Sequence, residues 1–141
     1  MSSEAFATGR CLCGAVSYRI SSAPVRMAQC HCRDCQRASG TGHTSQAFFK
    51  AADVEVQGKT TSFAVTAESG NTVTRHFCPT CGSRVWNENT GRPGIMAVTV
   101  GCMDSCDWYT PEAVVYTRSR AGWDVTSVDI PNFEAMQPIP K

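Results

Sequence analysis

The sequence has almost no surplus of charge, with 13 lysines and arginines against 12 aspartates and glutamates. That balance argues against a grip on nucleic acid built from neutralised phosphates. It gives no support for a polybasic membrane anchor either. No stretch approaches the ~20 apolar residues that a membrane span requires. Met1 to Arg10 is polar, carries Glu4 and lacks an apolar core of signal-peptide length. There is no internal repeat, low-complexity tract or linker. The expectation is a soluble, cytoplasmic protein with neither membrane nor nucleic acid as partner. Its 141 residues suffice for one domain with its own core and are few for two. A single domain over 1–141 is therefore expected. The hydrophobic share, 42%, is slightly under the usual globular value, so metal staples would help such a chain.

What the sequence does have is cysteine, nine in all. An odd number cannot pair completely into internal disulfides. In a reducing compartment, clustered cysteines usually mean metal. The clusters are Cys11/Cys13, Cys30/Cys32/Cys35, Cys78/Cys81 and Cys102/Cys106.

Between the clusters the chain reads as short strands broken by turns. Strands are expected at Ala15–Ile20, Val25–Cys30, Thr44–Lys50, Val54–Gln57, Ser62–Thr66, Thr72–Phe77, Ser83–Asn87, Ile95–Val100 and Ala113–Thr117. In the first of these, Val16, Tyr18 and Ile20 share a face. Arg33–Ser39 has no β-branched residue and is followed by Gly40, which suits a short helix with a glycine stop. Ser69-Gly70-Asn71 marks a turn. The tail carries Pro131, Pro138 and Pro140, and its end is expected to be loosely held. The pattern predicts a mainly β domain with one short helical segment.

Cys78-Pro79-Thr80-Cys81-Gly82 has the spacing of a zinc knuckle. Two intervening residues turn the backbone so that both sulfurs converge, and the glycine permits the tight turn. Cys11-Leu12-Cys13 can chelate if it lies on a strand, where residues i and i+2 share a face. The two pairs would supply the four sulfurs of a closed structural site. Cys30-His31-Cys32-Arg33-Asp34-Cys35 puts three cysteines in six residues, with no fourth ligand nearby in sequence. An ion held there keeps an open position, as catalysis requires. A different partition joins Cys32/Cys35 to Cys78/Cys81 as one ribbon, and buried inert thiols are a further reading. Seven thiolates and two Zn²⁺ would move the formal charge from +1 to +1 − 7 + 4 = −2.

On strand alternation His31 faces away from its neighbouring thiols. His43 and His76 read as surface or hydrogen-bonding residues, with His43 also placed to line a pocket beside the three-cysteine segment. Cys102 and Cys106 do not have knuckle spacing. They read as a small buried residue or exposed free thiol, or else one of them lies near the open zinc or the pair responds to oxidants.

Three stretches together resemble the glutathione-dependent formaldehyde-activating enzyme (GFA) family, whose shared unit is also called the CENP-V/GFA domain. They are Gly9-Arg10-Cys11-Leu12-Cys13-Gly14-Ala15-Val16, then Cys30-His31-Cys32-Arg33-Asp34-Cys35-Gln36-Arg37-Ala38-Ser39-Gly40, then Phe77-Cys78-Pro79-Thr80-Cys81-Gly82-Ser83. Trp123 and Ile130-Pro131-Asn132-Phe133 look like the family's closing segment, so the likeness runs from about Gly9 to Phe133. The resemblance implies a Mss4-like, zinc-stabilised β fold. It implies two zinc ions per chain: a structural one on Cys11, Cys13, Cys78 and Cys81, and a catalytic one on Cys30, Cys32 and Cys35. The implied activity is that of a carbon–sulfur lyase, joining a small-molecule thiol such as glutathione to an aldehyde such as formaldehyde. Because Mss4-like domains also serve as binding modules, a non-catalytic role is the alternative. The Gly101-Cys102-Met103-Asp104 stretch aligns with a family segment that usually carries a hydrophobic residue before the aspartate, whereas Cys102 and Cys106 are no part of the metal set that the resemblance implies.

Overall fold

The computed structural model describes residues 5–126 and 129–138. The tail end with Pro140 and the start with Glu4 lie outside the described residues. Among the described residues the strands, numbered in chain order, are β1 (Ala7–Arg10), β2 (Ser17–Ile20), β3 (Arg26–Cys30), β4 (Thr44–Lys50), β5 (Val54–Gln57), β6 (Thr61–Thr66), β7 (Thr72–Phe77), β8 (Arg84–Asn89), β9 (Ile95–Thr99) and β10 (Ala113–Val115). The α-helix is α1 (Arg33–Ser39), and three single 3₁₀ turns complete the set. The protein is mainly β, as expected. No described helix is long and apolar enough to cross a membrane. The chain divides into two compact units.

The first unit comprises Met1–Arg26 and Ala47–Tyr109. One of its sheets has the order β1-β2-β5, antiparallel throughout. Tyr18 and Ile20 of β2, with Val16 just before it, point to one buried face. Such period-2 burial is what a half-covered strand requires. The strand expected from Ala15 starts only at Ser17, because residues 11–16 are occupied by a turn. β1 was not anticipated. Its inward positions are Ala7 and Gly9, too small to give an apolar signal. Gly9 is required there, since a Cβ would collide with the Tyr18 ring and the Cys102 carbonyl. The other strands of the unit run in the order β9-β8-β7-β6. Phe6, Phe49 and Trp108 cluster together, with Phe6 and Trp108 centroids 4.9 Å apart.

The second unit comprises Met27–Gln46 and Thr110–Lys141. β10 pairs in parallel with β3, matching Val115 to Cys30. The expected closing segment lies along β10: the Phe133 amide donates to Val114 O at 2.7 Å, and the Thr117 amide to Phe133 O at 2.9 Å. α1 occupies the very residues expected of it. Cys32 caps its start, and Gly40 ends it in the left-handed region at φ 75°, its amide donating to Gln36 O. Buried Gln36 uses its side-chain amide to donate to His31 O at 2.7 Å and Ser119 O at 2.8 Å. The backbone that presents His31 and Cys32 is thereby fixed.

Candidate metal centres

The first unit brings Cys11, Cys13, Cys78 and Cys81 together, all four sulfurs within 4.8 Å of one another. Cys13 Sγ lies 3.7 Å from both Cys11 Sγ and Cys78 Sγ. Four sulfurs at ~2.3 Å from a tetrahedral zinc stand about 3.8 Å apart, so the donors fit such an ion. Cys11 and Cys13 do not sit on a strand, contrary to expectation. They follow β1 on a turn closed by the Gly14 amide donating to Cys11 O at 3.1 Å, with Gly14 at φ 83°. The convergence that strand alternation was to supply comes from that turn. The other pair is the expected knuckle. The Gly82 amide donates to Cys78 O at 2.8 Å, and Gly82 has φ 78°.

Backbone amides reach two of these sulfurs. The Val16 amide donates to Cys11 Sγ at 3.2 Å and the Thr80 amide to Cys78 Sγ at 3.4 Å. Ser83 hydrogen-bonds Cys81 Sγ at 3.2 Å and, with its own backbone and that of Cys13, lowers the Cys81 thiol to about 5. Cys13 moves the other way, to about 11. The Ala15 backbone favours its thiolate, but burial and the neighbouring sulfurs outweigh that. Four crowded thiols cannot all ionise without a cation among them. Cys11 and Cys78 are fully buried, so the site is anchored in the core.

The second unit brings Cys30, Cys32 and Cys35 within 4.8 Å of one another. Cys30 ends β3, Cys32 precedes α1 and Cys35 lies in its first turn. Only Cys30 is on a strand, so the expected strand-type Cys30/Cys32 pair is instead a strand-to-helix junction. Cys32 Sγ accepts the Cys35 amide at 3.2 Å. The Cys30 thiol is pushed well up, first by hydrogen bonding with Cys32, then with Cys35, then by burial. Cys32 is lowered by its bond with Cys30, yet Cys35 and burial leave it raised overall. As in the first unit, a cation is what would allow the three to ionise together. No fourth histidine, cysteine or carboxylate joins this set among the described residues.

His31 is fully buried and belongs to a separate group with His43 and Asp124. Burial, and then His43, hold its imidazole below the usual histidine range. His43 hydrogen-bonds Asp124 at 2.7 Å, as a hydrogen-bonding histidine should; its group contains none of the three thiols. Asp124 was missed, since a lone carboxylate far along the chain carries no signal. His76 bonds Glu88 at 2.8 Å and stacks on Trp86. Cys102 and Cys106 join neither thiol cluster. Cys102 Sγ donates to Arg84 O at 3.2 Å, and burial, followed by the charges of Cys11 and Cys81, raises its pKa.

Two cysteine clusters able to hold metal ions, on a mainly β framework, define the class: a cysteine-rich protein with one four-thiol and one three-thiol site. Residues 6–119 match the family described as glutathione-dependent formaldehyde-activating enzyme, and the chain belongs to that family. A relative from Halomonas elongata, described as "Putative glutathione-dependent formaldehyde-activating enzyme", is 30% identical over 121 residues, 82% of this chain and 77% of the relative. A crystal structure of a Rhodobacter sphaeroides protein shares the fold, with a TM-score of 0.57 and 21% identity over 71% of this chain and 90% of that one.

Proposed function

We propose that this protein is a cytoplasmic zinc enzyme joining a small thiol to an aldehyde, with glutathione and formaldehyde as the first pair to test. The observation that carries the reading is the three-sulfur cluster of Cys30, Cys32 and Cys35, which has one protein donor fewer than the cluster of Cys11, Cys13, Cys78 and Cys81. The first set is read as the catalytic zinc ligands and the second as the structural ones, two ions per chain. The working domain is read as 1–141, with a core of about 9–133. The family name supports the choice of substrates.

A zinc ion on three thiolates supplies a Lewis-acid position where a thiol is made acidic or a carbonyl polarised. The chain's own part is to hold that position open and aimed. The Cys35 amide donates to Cys32 Sγ, which steadies the thiolate and weakens its donation. Gln36 locks the peptide between Cys30 and Cys32 through His31 O. In the overall reaction the thiol sulfur forms a bond to the carbonyl carbon. The carbonyl π pair moves to oxygen, and that oxygen takes the proton the thiol has lost. The product is an S-hydroxymethyl thioether, S-hydroxymethylglutathione for the first pair, and the reverse step cleaves the same carbon–sulfur bond, as a lyase does.

The test is formaldehyde consumption by zinc-loaded protein with and without glutathione. A rate clearly above the uncatalysed combination is expected. No enhancement, with both sites shown to be filled, overturns the reading in favour of a zinc-stabilised binding module.

A further inference from the structure

The second unit holds a third convergent donor set that the thiol chemistry does not use. His31, His43 and Asp124 each place one ligand-type atom within 4.8 Å of the others. His31 Nδ1 stands 3.4 Å from Asp124 Oδ2, and His43 Nδ1 stands 2.7 Å from the same oxygen. The two imidazole centroids are 4.8 Å apart.

Two independent observations mark this as a built site rather than a chance meeting. The first is His31 itself. Its side chain is wholly buried, and among the described residues neither ring nitrogen makes a well-aligned hydrogen bond; Nδ1 has only the 3.4 Å contact to the Asp124 carboxylate, and the Gly42 backbone comes near the ring. A buried imidazole without well-formed hydrogen bonds on its nitrogens is costly, and native structures rarely leave one so. The second is Gly42. A Cβ there would collide with the Asp124 carboxylate, so the glycine is the space into which the carboxylate fits. The surrounding backbone is held in place as well: the His31 amide donates to Val115 O at 3.0 Å and the Asp124 amide to Ala121 O at 3.0 Å. Arg120, the nearby positive charge, is turned to the carbonyls of Ala121 and Asp124.

We propose that His31, His43 and Asp124 form a third metal site, taking a divalent transition cation through two imidazole nitrogens and one carboxylate oxygen. Two imidazoles and a carboxylate suit zinc, cobalt(II) or iron(II), and three protein donors leave positions open. Donors at ~2.0–2.1 Å around such an ion are separated by about 3.3 Å, close to the His31–Asp124 distance. The shorter His43–Asp124 contact is a hydrogen bond, and the cation takes the place of the proton on it. His43, about a quarter exposed, is the point of entry.

The experiment is a cobalt(II) titration of the full-length chain, reduced and stripped of metal. Thiolate-to-cobalt charge-transfer absorbance counts ions on cysteine, whatever their number. The site predicts one further equivalent after that absorbance reaches its plateau, seen by equilibrium dialysis and by paramagnetic loss of the His31 and His43 ring signals in NMR. His43→Ala and Asp124→Asn abolish this equivalent and keep the thiolate plateau. A wild-type titration that ends at the plateau overturns the proposal, and so does a further equivalent that survives both substitutions. The wild-type arm decides even if a variant does not fold, and neither arm depends on the formaldehyde activity.

Discussion

The four-thiol and three-thiol clusters are made of the same atom in the same kind of spacing, yet they are assembled in different ways. Cys13 and Cys78 lie 65 positions apart, and their sulfurs meet at 3.7 Å. Closing a flexible loop of that length costs about 4 kcal/mol in chain entropy, so an ion bound to the first cluster would hold folded structure in place. Cys30, Cys32 and Cys35 span one strand-to-helix junction and close no long loop. With an ion bound, the first cluster would therefore contribute to the fold of its unit. The second is placed by a local backbone that Gln36 and Gly40 already fix. The lesson is that the ligand set closing the longer loop is the one to expect as structural, and the compact set is the one free to carry chemistry.

The sharpest way to break this contrast is to remove one sulfur from each cluster. Cys78→Ala, at a fully buried position, should cost several kcal/mol, comparable with the whole stability of a small domain. Thermal unfolding and soluble yield are the measurements. Cys32→Ala should remove the proposed activity while costing only about 1 kcal/mol, the value of a lost helix cap. Equal destabilisation by the two substitutions would erase the distinction.

A gentler challenge is a chelator. EDTA should withdraw metal from the three-thiol cluster with little change in the circular dichroism spectrum, while the metal on the four-thiol cluster remains. Atomic emission analysis of the dialysed protein gives the count. Two ions of equal inertness would mean that both sites are structural.

The smallest effect concerns a cysteine outside both clusters. Cys102 donates to a carbonyl, and burial raises its pKa. Its thiolate therefore appears only as pH rises above the ordinary thiol range. Alkylation of Cys102 in metal-loaded protein should be slow near neutral pH and accelerate in alkali, followed by mass spectrometry of the modified peptide. Rapid labelling at neutral pH would place it among reactive thiols instead.

The seven clustered cysteines were legible because metal chelation imposes short spacings that survive in one dimension. α1 was legible for a similar reason, since Gly40 marks its end by backbone conformation alone. β1 was hidden, because Ala7 and Gly9 fill its inward positions with almost no side chain. The local geometry of Cys11 and Cys13 was misread as strand alternation, although a turn achieves the same convergence. The group formed by His31, His43 and Asp124 was beyond reach. Its members converge only once β3, the start of β4 and the loop bearing Asp124 have been brought together by folding.

The separation in sequence also sets an order of events while the chain is being made. The three-thiol motif is complete once Cys35 has left the ribosome, when Cys78 and Cys81 have not yet been translated. A nascent chain thus offers a compact thiol trap for metal well before the long-range cluster can close. At that stage the chain presents three clustered thiols there but only two, Cys11 and Cys13, of the four-thiol set.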